Sequence, residues 1–190
     1  MRPIIGFWRE FRTAFEKSLE GMRSDEFLMA WKGSAARTKR YEEHVLPEVA
    51  QQMGLRFKKE EFKVDYTMCE VDSSGNAVPL VFVESENNAQ SAGHEIRKLA
   101  CLHAPLKVLV VCAEWSDEPG DWGHGGDREQ LSWDWAKQVS AHNAVWPSAS
   151  VTGVIVAEWN RTLRYYSQAF GPRGEIVDAH ECFFERDIEG

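Results

Sequence analysis

Phe7, Trp8, Phe11, Phe15, Leu19 and Met22 recur at helical spacing, which predicts an amphipathic helix over residues 5–22. Ser24, followed by Asp25 and Glu26, reads as an N-cap with acids in the first turn. That short helix should run to about Trp31, before Gly33 stops it. From Ser34, the spacing of Tyr41, Val45, Leu46, Val49 and Met53 predicts another helix, interrupted or restarted at Pro47 and ended by Gly54. The period then changes to two. Phe62 to Cys69 reads as a strand, Asp72-Ser73-Ser74-Gly75-Asn76 as a turn, and Val78 to Val83 as a second, strongly apolar strand. Residues 90–103 read as a helix. Lys107 to Ala113 is a continuous apolar run, expected of a strand buried on both faces. A glycine-rich acidic loop at 117–126 precedes a Trp-containing helix over about 127–143. Two strands follow, Val151 to Ala157 and Leu163 to Ala169, joined by a turn at Asn160-Arg161. This order describes an α/β domain with a mixed sheet.

The 190 residues are one domain's worth of chain. Residues 1–33 read as an N-terminal helical appendage, 34–170 as the core with an insertion at 115–150, and 171–190 as an acidic tail. With 43% hydrophobic and 27% charged residues, wholesale disorder is excluded. No apolar run approaches the roughly 20 residues that cross a bilayer, so no membrane partner is expected. Met1-Arg2-Pro3-Ile4-Ile5 lacks the long apolar region of a signal peptide, so export by that route is not expected. Cys69, Cys101, Cys112 and Cys182 are widely spaced and form no CxxC, so they read as buried thiols of a reducing, cytoplasmic compartment, not as a disulfide framework or zinc site.

Charge alters the picture of possible partners. The net −8 argues against coating nucleic acid by bulk charge. It is unevenly spread: residues 1–63 carry 13 Lys/Arg against 10 Asp/Glu, and residues 64–190 carry 9 against 20. A polyanion should therefore meet the N-terminal part. Arg37, Lys39, Arg40, Arg56, Lys58 and Lys59 are the phosphate-contact candidates, weighed evenly against ordinary helix-surface solvation. The acids Glu175, Asp178, Glu181, Glu185, Asp187 and Glu189 should repel it.

The hairpin carries the candidate chemistry. If its turn centres between Ser74 and Gly75, Asp65 falls opposite Glu84 and Lys63 opposite Glu86. Opposed residues of an antiparallel pair share a face, with Cβ atoms about 5 Å apart. Three carboxylates and a lysine would then share one patch, and opposed carboxylates repel unless something holds them. Oxygen-rich sets of this kind bind hard cations such as Mg2+ or Mn2+. A cation there would polarise a phosphodiester and acidify a water, which Glu86 or a lysine would orient.

Asp65, then Val83-Glu84-Ser85-Glu86 closing an apolar strand, a helix, and the run from Lys107 to Ala113 together resemble the core of the PD-(D/E)XK nuclease superfamily. The resemblance covers about residues 36–113. It implies a restriction-endonuclease-like three-layer fold, a mixed β-sheet flanked by helices, with N-terminal helices added. It implies that Asp65 and Glu84 hold Mg2+ or Mn2+ with the carbonyl of Ser85. Val64 replaces the proline common before the aspartate, and the family lysine falls on Glu86. Lys98 in the following helix, or Lys63 across the hairpin, is the candidate replacement, and Glu42 or Glu43 could add an acid from the preceding helix. The implied activity is metal-dependent hydrolysis of nucleic acid, DNA rather than RNA, with Asp65, Glu84, Glu86 and Lys98 as catalytic residues.

Two further readings compete. The same fold, having lost its lysine, would be a protein-interaction or regulatory module. Alternatively, the acidic chain would mimic DNA. His94 and Glu95 belong at most behind the site. Trp122, Trp133, Trp135 and Trp146 read as core under the insertion, as base-stacking rings, or as the surface of a homodimer or protein partner in 115–150. The acidic loop with Asp117, Glu118, Asp121, His124 and Asp127 does not follow the calcium-loop spacing.

Overall fold

The computed structural model describes residues 4–188; Met1–Pro3, Glu189 and Gly190 lie outside the described residues. Helix α1 (Ile4–Glu20) buries Phe7, Trp8, Phe11, Phe15 and Leu19, the stripe set by the sequence spacing. Helix α2 (Ser24–Trp31) starts one residue earlier than expected. Arg23 is its cap, and the Glu26 carboxylate accepts the Arg23 backbone N–H at 2.8 Å. Helix α3 (Ser34–Arg40) runs through a π-helical turn, Tyr41–Val45, into α4 (Leu46–Gln52). Pro47 has no N–H to donate at that point, and the ladder widens ahead of it.

The strands form one seven-stranded mixed sheet in sequence order. They are β1 (Arg56–Lys59), β2 (Tyr66–Val71), β3 (Ala77–Glu86), β4 (Leu106–Cys112), β5 (Val151–Asn160), β6 (Thr162–Phe170) and β7 (Ile176–Arg186). The pairs β3–β4 and β4–β5 are parallel and the others antiparallel. Helix α5 (Gly93–Ala100) crosses from β3 to β4, and α6 (Arg128–Val145) from β4 to β5. These crossovers cover one face of the parallel strands and α1–α4 cover the other, which is why β4 is apolar apart from Lys107. One core lies between the sheet and α1–α4, and a second between the sheet and α5–α6. The sequence expectation of an α/β domain with a mixed sheet and flanking helices is met. On the first face Trp8 lies so close to β5 that a Cβ at Gly153 would sit 2.1 Å from its ring. Among the described residues no helix is long and apolar enough to cross a membrane.

Four expectations need correction. The strand expected from Phe62 begins at Tyr66: Glu60, Phe62 and Lys63 take positive φ values of 52°, 58° and 59°, and residues 61–63 form a 3-10 turn. Lys63 is therefore outside the ladder and does not face Glu86. The short strand β1 carries no apolar alternation to announce it. Of the cysteines expected to be buried, Cys101 and Cys182 are exposed. Finally, the acidic tail is β7. Its Phe183 and Phe184 enter the first core, and its acids meet arginines: Asp178 with Arg9, Glu181 with Arg12, Glu185 with Arg164. The acids that were expected to form a free tail are thus partly compensated by arginines of α1 and β6.

Candidate functional site

The hairpin register decides which carboxylates meet. Near the turn the pairing is centred on Ser74, with Val71 opposite Ala77 and Cys69 opposite Pro79. Asp72 closes the turn by accepting the backbone N–H groups of Ser74 and Asn76, each at 2.8 Å. A bulge at Leu80, next to the donor-less Pro79, then shifts the register by one. Beyond it Met68 faces Val81 and Tyr66 faces Val83. Asp65, just before β2, is thereby aligned with Glu84, as the sequence register requires. Its Oδ2 accepts the backbone N–H of Ser85 at 2.9 Å.

Glu84 sits on β3 in the middle of the sheet and is only 1% exposed. Lys98 Nζ lies 2.9 Å from Glu84 Oε1 and 2.6 Å from Glu95 Oε2. Helix α5 supplies both partners because positions 95 and 98 lie three apart on one side, flanking the buried Ile96 and Leu99 that pin the helix to the sheet. Neither carboxylate oxygen is in aligned hydrogen-bond geometry, so the contacts are ionic. Burial pushes the Glu84 carboxyl up to about 8; Lys98 opposes that shift and Asp65 adds to it. Burial alone would lower Lys98, but Glu95 and Glu84 outweigh it and hold the ammonium above its ordinary value. Burial, with Asp65 and other nearby carboxylates, likewise raises the Tyr66 hydroxyl.

The structure thus joins Asp65, Glu84 and Lys98, and adds Glu95, which the sequence had placed at most behind the site. It does not join Glu86, whose Oε1 accepts the N–H groups of Asn87 and Asn88 and caps that turn. His94 is exposed, Glu42 pairs with Lys59, and Glu43 lies 3.9 Å from Lys39. Among the described residues no group of three or more His, Cys, Asp and Glu side chains is placed to hold a metal ion.

The basic set expected to contact phosphates is largely neutralised. Arg40 pairs with Glu26 at 3.1 Å, Lys58 with Glu61 at 2.6 Å, and Lys59 and Lys39 with the glutamates just named. Arg37 lies over Trp31 and hydrogen-bonds Asn87. Arg56, the remaining member of the set, is exposed.

Sequence reasoning missed a second buried carboxylate. Glu158 is 1% exposed and its Oε2 accepts the backbone N–H groups of Trp115 and Ser116 and the indole N–H of Trp122, at 2.8–2.9 Å. Its Oε1 accepts the Tyr166 hydroxyl at 2.8 Å. The signal was available: Glu158 closes the apolar run of β5 as Glu84 closes that of β3. Of the tryptophans, Trp115 and Trp135 stack in the second core, whereas Trp133 and Trp146 are exposed.

No family model matches this chain, and no curated protein matches it. Among solved structures, a carbon-nitrogen hydrolase from Helicobacter pylori G27 is similar over 76% of this chain and 66% of its own, just under two thirds. The identity is 12% and the TM-score 0.38. That neighbour is a carbon-nitrogen hydrolase and not a PD-(D/E)XK nuclease. The family resemblance drawn from the sequence is withdrawn on that comparison, together with nucleic-acid cleavage, DNA binding and the degenerate-nuclease reading. A superposition this loose does not lend the neighbour's activity to this chain.

Proposed function

We propose that Asp65, Glu84 and Lys98 form a hydrolytic centre that works with one divalent cation, Mg2+ or Mn2+. The supporting observation is Glu84 itself: a carboxylate on a central strand, 1% exposed, with a single lysine 2.9 Å away. Burying an ionisable pair so thinly solvated costs stability that an apolar pair would not, and strongly shifted groups concentrate at functional sites. Asp65, Glu84 and the Ser85 carbonyl are an all-oxygen set suited to a hard cation that keeps most of its waters. Such a cation would polarise the scissile group and acidify a bound water. Lys98 would orient that water and offset negative charge developing on the substrate, while Glu95 positions the lysine.

Calorimetry with Mn2+ and hydrolysis of chromogenic carboxylic esters and amides test this on the full chain. Binding should be present in the unaltered protein and lost in Asp65→Asn. Hydrolysis of one class should depend on the cation and fall by on the order of 100-fold or more in Lys98→Met. Absence of Mn2+ binding, or hydrolysis untouched by Lys98→Met, refutes the proposal.

A further inference from the structure

A cleft opens where the parallel strands β3, β4 and β5 end at their C-terminal edge, the position at which open α/β sheets take ligands. Its volume is about 490 Å3, within the usual range for small-molecule sites. Each strand contributes to it through its end or the loop that follows: Asn87 and Asn88 after β3, Glu114 after β4, and Trp159 on β5. Trp31 from α2 and Trp122 from the loop before α6 complete the walls.

Two features define what would fit. The walls are indoles held in place. Trp122 is tethered through its N–H to buried Glu158 at 2.9 Å, and Trp31 and Trp159 meet edge to face with centroids 6.1 Å apart. All three rings are partly exposed. Charge is the second feature: Glu114, Asp127 and Glu158 line the cleft, and no lysine or arginine does. The Glu114 side chain is 53% exposed at the mouth, with His124 at 3.5 Å as its charge partner among the described residues. An indole face beside carboxylates attracts a cation through the ring quadrupole and the acids together. The chain already uses one of these rings so, since the Arg37 guanidinium lies 4.6 Å from the Trp31 centroid, steadied by Asn87 at 3.1 Å.

We infer that this cleft binds an organic cation, a substituted ammonium or guanidinium group, seated between Trp159 and Trp122 with Glu114 at its charge. The inference is independent of the Asp65–Glu84–Lys98 centre.

Titration of the full chain with tetramethylammonium at low salt, followed by tryptophan fluorescence and calorimetry, tests it. The uncharged isostere tert-butanol and the anion acetate serve as controls. Saturable binding of the cation alone is expected. Trp159→Leu should weaken it on the order of tenfold, the size of a desolvated cation–π contact. Glu114→Gln, a change at an exposed side chain that leaves the core intact, should weaken it several-fold and flatten its salt dependence. No saturation by about 10 mM (a 1 mM site is worth only about −4 kcal/mol) would overturn the assignment. So would equal binding of tert-butanol, preferential binding of acetate, or an unchanged affinity in Glu114→Gln.

Discussion

At the scale of single residues, the two buried glutamates show how environment divides one side chain into two roles. Glu158 receives four donors, so its charge is fully solvated by protein and it clamps the 113–127 loop to β5. Glu84 has one lysine and no aligned donor on Oε1. The consequence for stability is asymmetric. Glu84→Gln should stabilise the fold by roughly 1–3 kcal/mol above pH 8, where the carboxyl is ionised, because the amide needs no counter-charge in a dry site and Lys98 keeps Glu95. Lys98→Met should destabilise it by a similar amount in the same alkaline range, since it leaves a buried carboxylate alone, and the double variant should recover most of that loss. Urea denaturation of the three variants reads this directly. A Glu84→Gln protein less stable than the original would show that the pair is a net stabiliser.

The element scale is represented by α5 and the strand it feeds. Its C-terminus is met by Lys107, the first outlying charge of β4, whose Nζ donates to the Ala100 carbonyl at 3.3 Å. That cation at a helix C-terminus is favourable, yet the residue is 2% exposed and has no acid beside it. Burial pulls the Lys107 ammonium down to about 8, against an ordinary value of 10.5. Between those values the unfolded chain binds more protons than the folded one, so stability from this group rises with pH from about 8 to 10.5. Below 8 its full cost is present. Lys107→Met should therefore be the more stable protein at pH 7, by roughly 1–3 kcal/mol, and the difference should shrink by pH 10. Denaturation of both proteins at the two pH values checks this; a pH-independent difference would assign the cost to packing instead.

For the whole molecule, β7 decides how the two cores close. It is the edge strand beside β6, and it reaches α1 across 170 residues through the Trp8 indole N–H to Asp178 at 2.9 Å, with Arg9 on the same carboxylate and Arg12 on Glu181. Phe183, Phe184 and Ile188 complete the core that α1 and α2 cover. Truncation after Phe170 should expose that core and abolish a single cooperative thermal transition, whereas removing a dispensable acidic tail would leave the melt nearly unchanged. Differential scanning calorimetry of the truncated chain distinguishes the outcomes.

Much of this was legible in advance, for a physical reason. Helical and alternating periods are local properties, and burial on one face acts on each element separately. So α1, the β2–β3 pair, β4, β5 and β6 follow from spacing, as does the alignment of Asp65 with Glu84. That alignment survived although the turn is centred differently, because the bulge at Leu80 compensates. Other features were decided only in three dimensions. Edge strands such as β1 and β7 bury half a face or less, so their sequences look like loop and tail. The partner of Glu84 depends on the angle at which α5 crosses the sheet, which chose Lys98 and Glu95 over Lys63 and Glu86. The basic set is largely neutralised because acids distant in the chain, Glu26 and Glu42, fold onto it. Spacing along the chain determines which faces are apolar; which charges meet is set by the packing of those faces, since Coulomb pairing depends on distance in space alone.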